Sequence, residues 1–67
     1  MAVARVTEIS TTSTKSFEDA IQQGIARATK TLRNVRSAWI KEQRVDIRDG
    51  QIAEYQVNMM VTVVLDD

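Results

Sequence analysis

The chain lacks the residues that small proteins often use for extra stability. It has no cysteine and no histidine among its 67 residues, which excludes disulfides, thiolate sites and imidazole-bound zinc. A chain of this length forms at most one domain, over residues 1–67, and buries only about 60% of its unfolded surface. Because small proteins otherwise gain support from disulfides, metals or oligomerisation, we expect association with further copies.

Two other absences limit the partners. The 9 basic and 9 acidic residues balance, so no basic excess indicates nucleic acid. No apolar run approaches the ~20 residues of a membrane span, and MAVARVTEIS at the N-terminus lacks the apolar core of a signal peptide. We therefore expect a cytoplasmic protein with neither a nucleic-acid nor a membrane partner.

The first half of the chain predicts a strand followed by a helix. Residues 2–9 have the composition of a short strand, and the hydroxyl-rich residues 10–16 are interpreted as a loop. Ser16 and Asp19 have the spacing of a capping box at a helix start. Basic residues and Asn34 mark the helix end. Gly24 interrupts the apolar stripe and predicts close packing on a sheet. That stripe comprises Phe17, Ala20, Ile21, Gly24, Ile25, Ala28 and Leu32.

The second half predicts a long hairpin. Residues 36–48 and 51–65 alternate like strands around Asp49-Gly50, a strong signal for a two-residue turn. The turn fixes a register, in which the expected pairs are Arg48 with Gln51, Gln43 with Gln56, Ile40 with Met59 and Trp39 with Met60. One face is then apolar and takes the helix, whereas the other carries Trp39, Gln43 and Gln56.

These elements predict an α+β fold with the order β-α-β-β. A right-handed crossover gives a three-stranded antiparallel sheet in the order 1-3-2, partly wrapped by one helix. The helix is too short to cover a hairpin of about 43 Å at ~3.3 Å per residue. We expect copies of the same chain to cover the second sheet face.

The sequence carries no catalytic constellation, Walker loop or dinucleotide fingerprint, so we do not expect an enzyme. Asp66 and Asp67 are two carboxylates that suit a hard cation, but a solvated tail is the preferred interpretation. Trp39 and Gln56 share a face and have complementary chemistry, because an indole stacks on flat rings and an amide pairs with an imide edge. Trp39 also fits an interface anchor, and Gln56 a cross-strand partner.

The chain resembles the dodecin family over nearly all of its length. The matching segments are VTEI, the hydroxyl-rich loop, SFEDAIQQGIARATKTLRNV, KEQR, the DG turn and EYQV. The resemblance implies a hollow homododecamer that binds flavin, either riboflavin or FMN, between subunits. It implies storage and protection of the flavin, and some members also bind coenzyme A.

The resemblance also assigns roles to particular residues. Gln56 matches the flavin-contacting glutamine of the family, and Arg44 matches an arginine suited to an FMN phosphate. Ser37 stands where flavin-binding members carry their stacking tryptophan, and Trp39 lies two positions later on the same face. Trp39 is then a relocated platform, or it reshapes a pocket that holds another ligand, such as coenzyme A or a cation. Val64 replaces a second arginine, which weakens the case for FMN.

Overall fold

The structure is a computed structural model that describes residues 2–65. Within that range the chain forms β1 (Ala4–Ser13), α1 (Phe17–Thr31), β2 (Val35–Arg48) and β3 (Gln51–Val64). The strands make one antiparallel sheet in the order β1-β3-β2. The predicted β-α-β-β fold and strand order are confirmed. No helix in the described range is long and apolar enough to cross a membrane.

Strand β1 runs to Ser13, further than predicted, so the loop predicted over residues 10–16 is confirmed only for residues 14–16. The hydroxyl-rich residues 10–13 continue the strand because β3 offers them partners, from Ser10 opposite Asn58 to Ser13 opposite Tyr55. Threonine is β-branched and fits a pleated strand well. Ser13 is buried, and its hydroxyl donates to Asp19 Oδ2 at 2.6 Å while accepting from the Lys15 N–H at 2.9 Å.

The helix begins as predicted but ends earlier. The Asp19 N–H donates to Ser16 Oγ at 3.0 Å, which confirms the cap. The helix stops at Thr31, and Asn34 adopts a left-handed conformation with φ 59°. Asn34 belongs to the connection into β2, because its Nδ2 donates to Val64 O and its carbonyl accepts from the Val64 N–H. The expected helix end at Asn34 is therefore wrong.

The core lies between α1 and one face of the sheet. Gly24 touches the sheet so closely that a Cβ atom there would overlap Met59 Cε and Thr11 Oγ1. The predicted close packing of Gly24 is confirmed. At one end of the core, the rings of Phe17 and Tyr55 meet edge to face with centroids 5.1 Å apart. The buried apolar side chains are Ala20, Ala28, Val57, Met59, Val61 and Val63.

The hairpin confirms the predicted turn and corrects part of its register. Both turn residues, Asp49 and Gly50, have positive φ, as a type I′ turn requires. The pairs of Arg48 with Gln51, Ile40 with Met59 and Trp39 with Met60 are all present. The predicted pair of Gln43 with Gln56 is wrong, as Gln43 lies opposite Val57 and Arg44 opposite Gln56.

Two register shifts explain that correction. One lies between Asp46 and Ile47 and leaves Ala53 unpaired on β3, and the other lies between Ile40 and Glu42 and leaves Lys41 unpaired on β2. Such bulges insert one residue into one strand, and a shift of one residue exchanges the faces. These two shifts cancel, so the register set by the turn returns from Ile40 to Ser37, and a third shift between Ser37 and Val35 then places Val35 opposite Val63.

We predict that Gly24→Val destabilises the protein by about 1–3 kcal/mol, because the added methyl groups overpack a core that has no room at this point. The matched control is Gln22→Val, which places the same β-branched residue on the exposed side of the helix and costs only about 0.5 kcal/mol through helix propensity. Urea unfolding measures both. Equal losses in the two variants would contradict the packing argument.

A second prediction concerns acid stability. The hydrogen bond from Ser13 is the largest influence on Asp19 and lowers its pKa. Desolvation opposes it as the second-largest influence, and Gln23 and Lys15 lower the pKa further. A lowered folded-state pKa adds stability above the unfolded-state pKa, and that stability is lost as the pH falls through the folded-state value. Asp19→Asn should therefore make the free energy of unfolding less dependent on pH below about pH 4. Urea titrations at several pH values measure this dependence, and an Asp19→Asn slope equal to wild type would refute the assignment.

Candidate functional site

The candidate site is the sheet face that turns away from α1, called the second face below. Its rows follow from the pairing of the three strands, with β3 in the centre. From the hairpin end, the rows are Thr12–Gln56–Arg44, Ser10–Asn58–Glu42, Glu8–Met60–Trp39 and Val6–Thr62–Ser37. The four residues proposed from the sequence as a binding site, Ser37, Trp39, Arg44 and Gln56, therefore lie on one face.

Polar side chains form a continuous network across the first two rows. Gln56 Nε2 donates to Ser10 Oγ at 2.9 Å and lies 3.5 Å from Asn58 Oδ1. Asn58 Nδ2 donates to Glu42 Oε1 at 2.6 Å, a short distance typical of a charge-assisted hydrogen bond. One line of hydrogen bonds thus connects β1, β3 and β2 through Gln56.

Arg44 and Glu42 close this network on β2. Arg44 Nη2 lies 3.2 Å from Glu42 Oε1, and Arg44 is the cross-strand partner of Gln56. The hydrogen bond from Asn58 lowers the pKa of Glu42, and the positive charge of Arg44 lowers it further. Glu42 is consequently held as a carboxylate beside the two amides.

Trp39 lies on the same face but at a distance from Gln56. Its side chain is 51% exposed, which confirms that it is not part of the helix-covered core. Its partner Met60 is four positions from Gln56 along β3, about 13 Å at ~3.3 Å per residue. Lys41 and Glu8 form an exposed ion pair nearby, with 3.2 Å between Lys41 Nζ and Glu8 Oε1.

Ser37 lies one row further from Gln56 than Trp39 does. It pairs with Thr62, six positions from Gln56 and about 20 Å away along the strand. Ser37 also borders a groove between α1 and β2, next to Ala38 and Val61. The structure thus brings Arg44 and Gln56 together and sets Trp39 and Ser37 apart from them.

The grooves beside α1 reach the rows of the second face only at Ser10 and Ser37. Grooves of about 390 and 370 Å³ run beside α1, one near Arg5 and Leu65 and the other between Gly24 and Ile9. Small-molecule sites usually enclose most of their ligand. A flat ring lying on the second face would therefore need a second wall.

The chemistry of this face is that of binding. It offers an indole surface, an amide and an arginine, all of which suit a flat polar heterocycle. Among residues 2–65, no group of three or more acidic, histidine or cysteine side chains is placed to hold a metal ion. Asp66 and Asp67, considered above as cation ligands, lie outside the described residues.

Sequence reasoning missed three members of the network: Ser10, Glu42 and Asn58. Ser10 was assigned to a loop, and Glu42 was not proposed because strict alternation from Trp39 and Gln43 leaves it off their face. Only knowledge of the two bulges would have moved Glu42 to the second face. Asn58 was placed on the correct face, but its link to Glu42 depends on the shifted register.

The fold and site define a class of small α+β proteins in which one helix covers one face of a three-stranded sheet and the other face is open. The family model that matches is that of dodecin, over residues 3–66. The dodecin of Thermus thermophilus is 38% identical over 65 residues, covering 97% of this chain and 94% of that protein. The chain belongs to the dodecin family.

Solved structures of dodecins agree with this assignment. The dodecin from Streptomyces davaonensis has a TM-score of 0.91 and 42% identity, over 98% of this chain and 97% of that one. The dodecin from Streptomyces coelicolor has a TM-score of 0.92 and 32% identity, over 98% and 94%. A calcium dodecin from Mycobacterium tuberculosis, described with a calcium-binding site, has a TM-score of 0.82 and 28% identity, over 96% and 91%.

Proposed function

We propose that this dodecin binds and stores a flavin, riboflavin or FMN, between copies of itself in a cytoplasmic hollow homododecamer. The observation that carries the proposal is the spacing on the second face. Trp39 and Gln56 have the chemistry to hold a flavin ring, but about 13 Å separates them along β3 in one chain. Trp39 of one copy and Gln56 of another can engage the same ring only if two second faces meet.

Each proposed residue has a distinct role. Trp39 stacks on the flavin ring, an interaction worth roughly 1–3 kcal/mol by analogy with stacking on nucleic-acid bases. Gln56 hydrogen-bonds the imide edge, and Arg44 contacts the phosphate when the ligand is FMN. Ser37 leaves space beside Trp39, where a larger side chain would compete for the same surface.

The proposal includes no catalytic turnover. The polar groups of the second face are amides, hydroxyls and paired charges, such as Arg44 with Glu42, and none forms a nucleophile with an adjacent base. The protein would hold the flavin and quench its excited state by stacking on Trp39. Steady oxidation of a reduced donor by the flavin-loaded protein would refute this part of the proposal.

The direct test is a titration of unfolded and refolded apoprotein with riboflavin and with FMN, followed by flavin fluorescence. We expect saturable quenching at micromolar protein, because a flavin stacked on an indole loses its emission. Unchanged fluorescence for both flavins would exclude flavin as the ligand.

We predict that Trp39→Ala weakens riboflavin binding about tenfold or more, the loss expected from removal of one stacking interaction. Trp39→Phe should retain part of the affinity, because a smaller ring still stacks. Size-exclusion chromatography with light scattering should give the same assembly mass for wild type and both variants. A dissociated Trp39→Ala protein would instead identify Trp39 as an interface anchor.

A second candidate function is storage of a different ligand, either coenzyme A or a cation. It is favoured by Ser37, which stands where the family resemblance expects the stacking tryptophan, and by the calcium dodecin among the similar structures. Mass spectrometry of the protein as isolated, under native conditions, distinguishes the candidates. A bound nucleotide or metal without flavin would favour this second function over the first.

A further inference from the structure

Gln56 presents an oxygen atom, and not a nitrogen atom, to the open side of the second face. Its amide nitrogen carries two hydrogens, and both are directed to neighbours, Ser10 Oγ at 2.9 Å and Asn58 Oδ1 at 3.5 Å. Gln56 Oε1 accepts no hydrogen bond from the described residues. The free group at this position is therefore an acceptor.

The orientation of the Gln56 amide depends on Glu42, which acts on it through Asn58. A carboxylate can only accept hydrogen bonds, so Glu42 Oε1, at 2.6 Å, requires the nitrogen of Asn58. Asn58 Oδ1 then faces Gln56 and accepts a hydrogen bond from Gln56 Nε2. The Ser10 hydroxyl can donate or accept, so it does not by itself decide which way the Gln56 amide faces.

The charge on Glu42 is maintained by its surroundings. Arg44 contacts Glu42 on the same strand at 3.2 Å, and the hydrogen bond from Asn58 keeps the pKa of Glu42 low. The carboxylate therefore stays an acceptor through the neutral pH range.

We infer that Glu42 is a positioning residue of the flavin site, which acts through Asn58 to turn the Gln56 oxygen outward and so selects a ring that offers an N–H group. This inference rests on the proposed function, because it specifies which edge of the flavin Gln56 recognises. The imide of a flavin carries such an N–H group between two carbonyl groups. Methylation of the imide nitrogen removes the donor, and a site built around a hydrogen bond disfavours the ligand that cannot form it.

The test compares riboflavin with riboflavin methylated at its imide nitrogen, by fluorescence titration of the refolded assembly. The wild type should bind riboflavin about tenfold more tightly than the methylated analogue. In Glu42→Gln the side chain can donate as well as accept, so Asn58 and Gln56 are free to turn. We expect the affinity of Glu42→Gln for riboflavin to fall about threefold or more. Its affinity for the analogue should be unchanged, because the methylated imide has no hydrogen to donate to Gln56 Oε1.

Two further variants separate positioning from general damage. Glu18→Gln removes an exposed carboxylate of α1, away from the second face, and should keep the wild-type ratio of the two affinities. The double variant Glu42→Gln/Asn58→Asp moves the carboxylate from position 42 to position 58, directly beside Gln56 in the hydrogen-bond network. It again forces Gln56 to turn its nitrogen inward and should restore the preference for riboflavin.

The outcomes distinguish failure of this inference from failure of the proposed function. A wild type that binds riboflavin and its methylated analogue equally, or a Glu42→Gln protein with the wild-type ratio, would overturn the positioning role while leaving flavin storage in place. If Glu42→Gln fails to assemble, the double variant Glu42→Gln/Asn58→Asp decides the question. A wild-type ratio of riboflavin to analogue affinity in the double variant supports the positioning role, and loss of that ratio overturns it. A wild type that binds neither ligand would overturn both proposals.

Discussion

The close contact between α1 and the sheet at Gly24 is the constraint on which the remaining structure depends. Without a side chain at Gly24, the helix can lie directly on Met59 and Thr11, and the apolar side of β3 is buried under it. The 15-residue helix is about 22 Å long at ~1.5 Å per residue, whereas each 14-residue strand of the hairpin spans about 46 Å. The helix therefore covers one side of the sheet only, and the second face carries amides, hydroxyls, paired charges and the apolar residues Val6, Trp39 and Met60.

The two cancelling register shifts connect this fold to its chemistry. They move the residues between Lys41 and Ala53 and leave the segment from Ser37 to Ile40 in the register that the turn dictates. As a result Glu42 and Arg44 join Gln56 and Asn58 on the second face. Strict alternation would have placed Gln43 on the second face, so a neutral amide would replace the ion pair of Arg44 with Glu42. The bulges thus supply the charges that order the polar network.

Much of the fold follows from local sequence, whereas the site depends on features that local sequence does not determine. Asp49-Gly50 fixes the turn, Ser16 fixes the helix start, and apolar spacing identifies the buried side of α1. Residues 10–13 were assigned to a loop because hydroxyl residues favour turns locally, and they became a strand because β3 provides pairing partners. The bulges depend on how the twisted strands fit together, so the partner of Gln56 could not be read from spacing alone. The exposure of Trp39 was predictable, because it requires only the outer register, which the bulges leave unchanged.

The central claim is that flavin is held between copies, with Trp39 and Gln56 supplied by different chains. Native mass spectrometry of protein refolded with riboflavin tests it most directly, since it reports the number of chains and of flavins in the same particle. We predict that flavin accompanies the dodecamer and is absent from every single chain released from it. Flavin on isolated chains, or dodecamers that carry none, would contradict the claim.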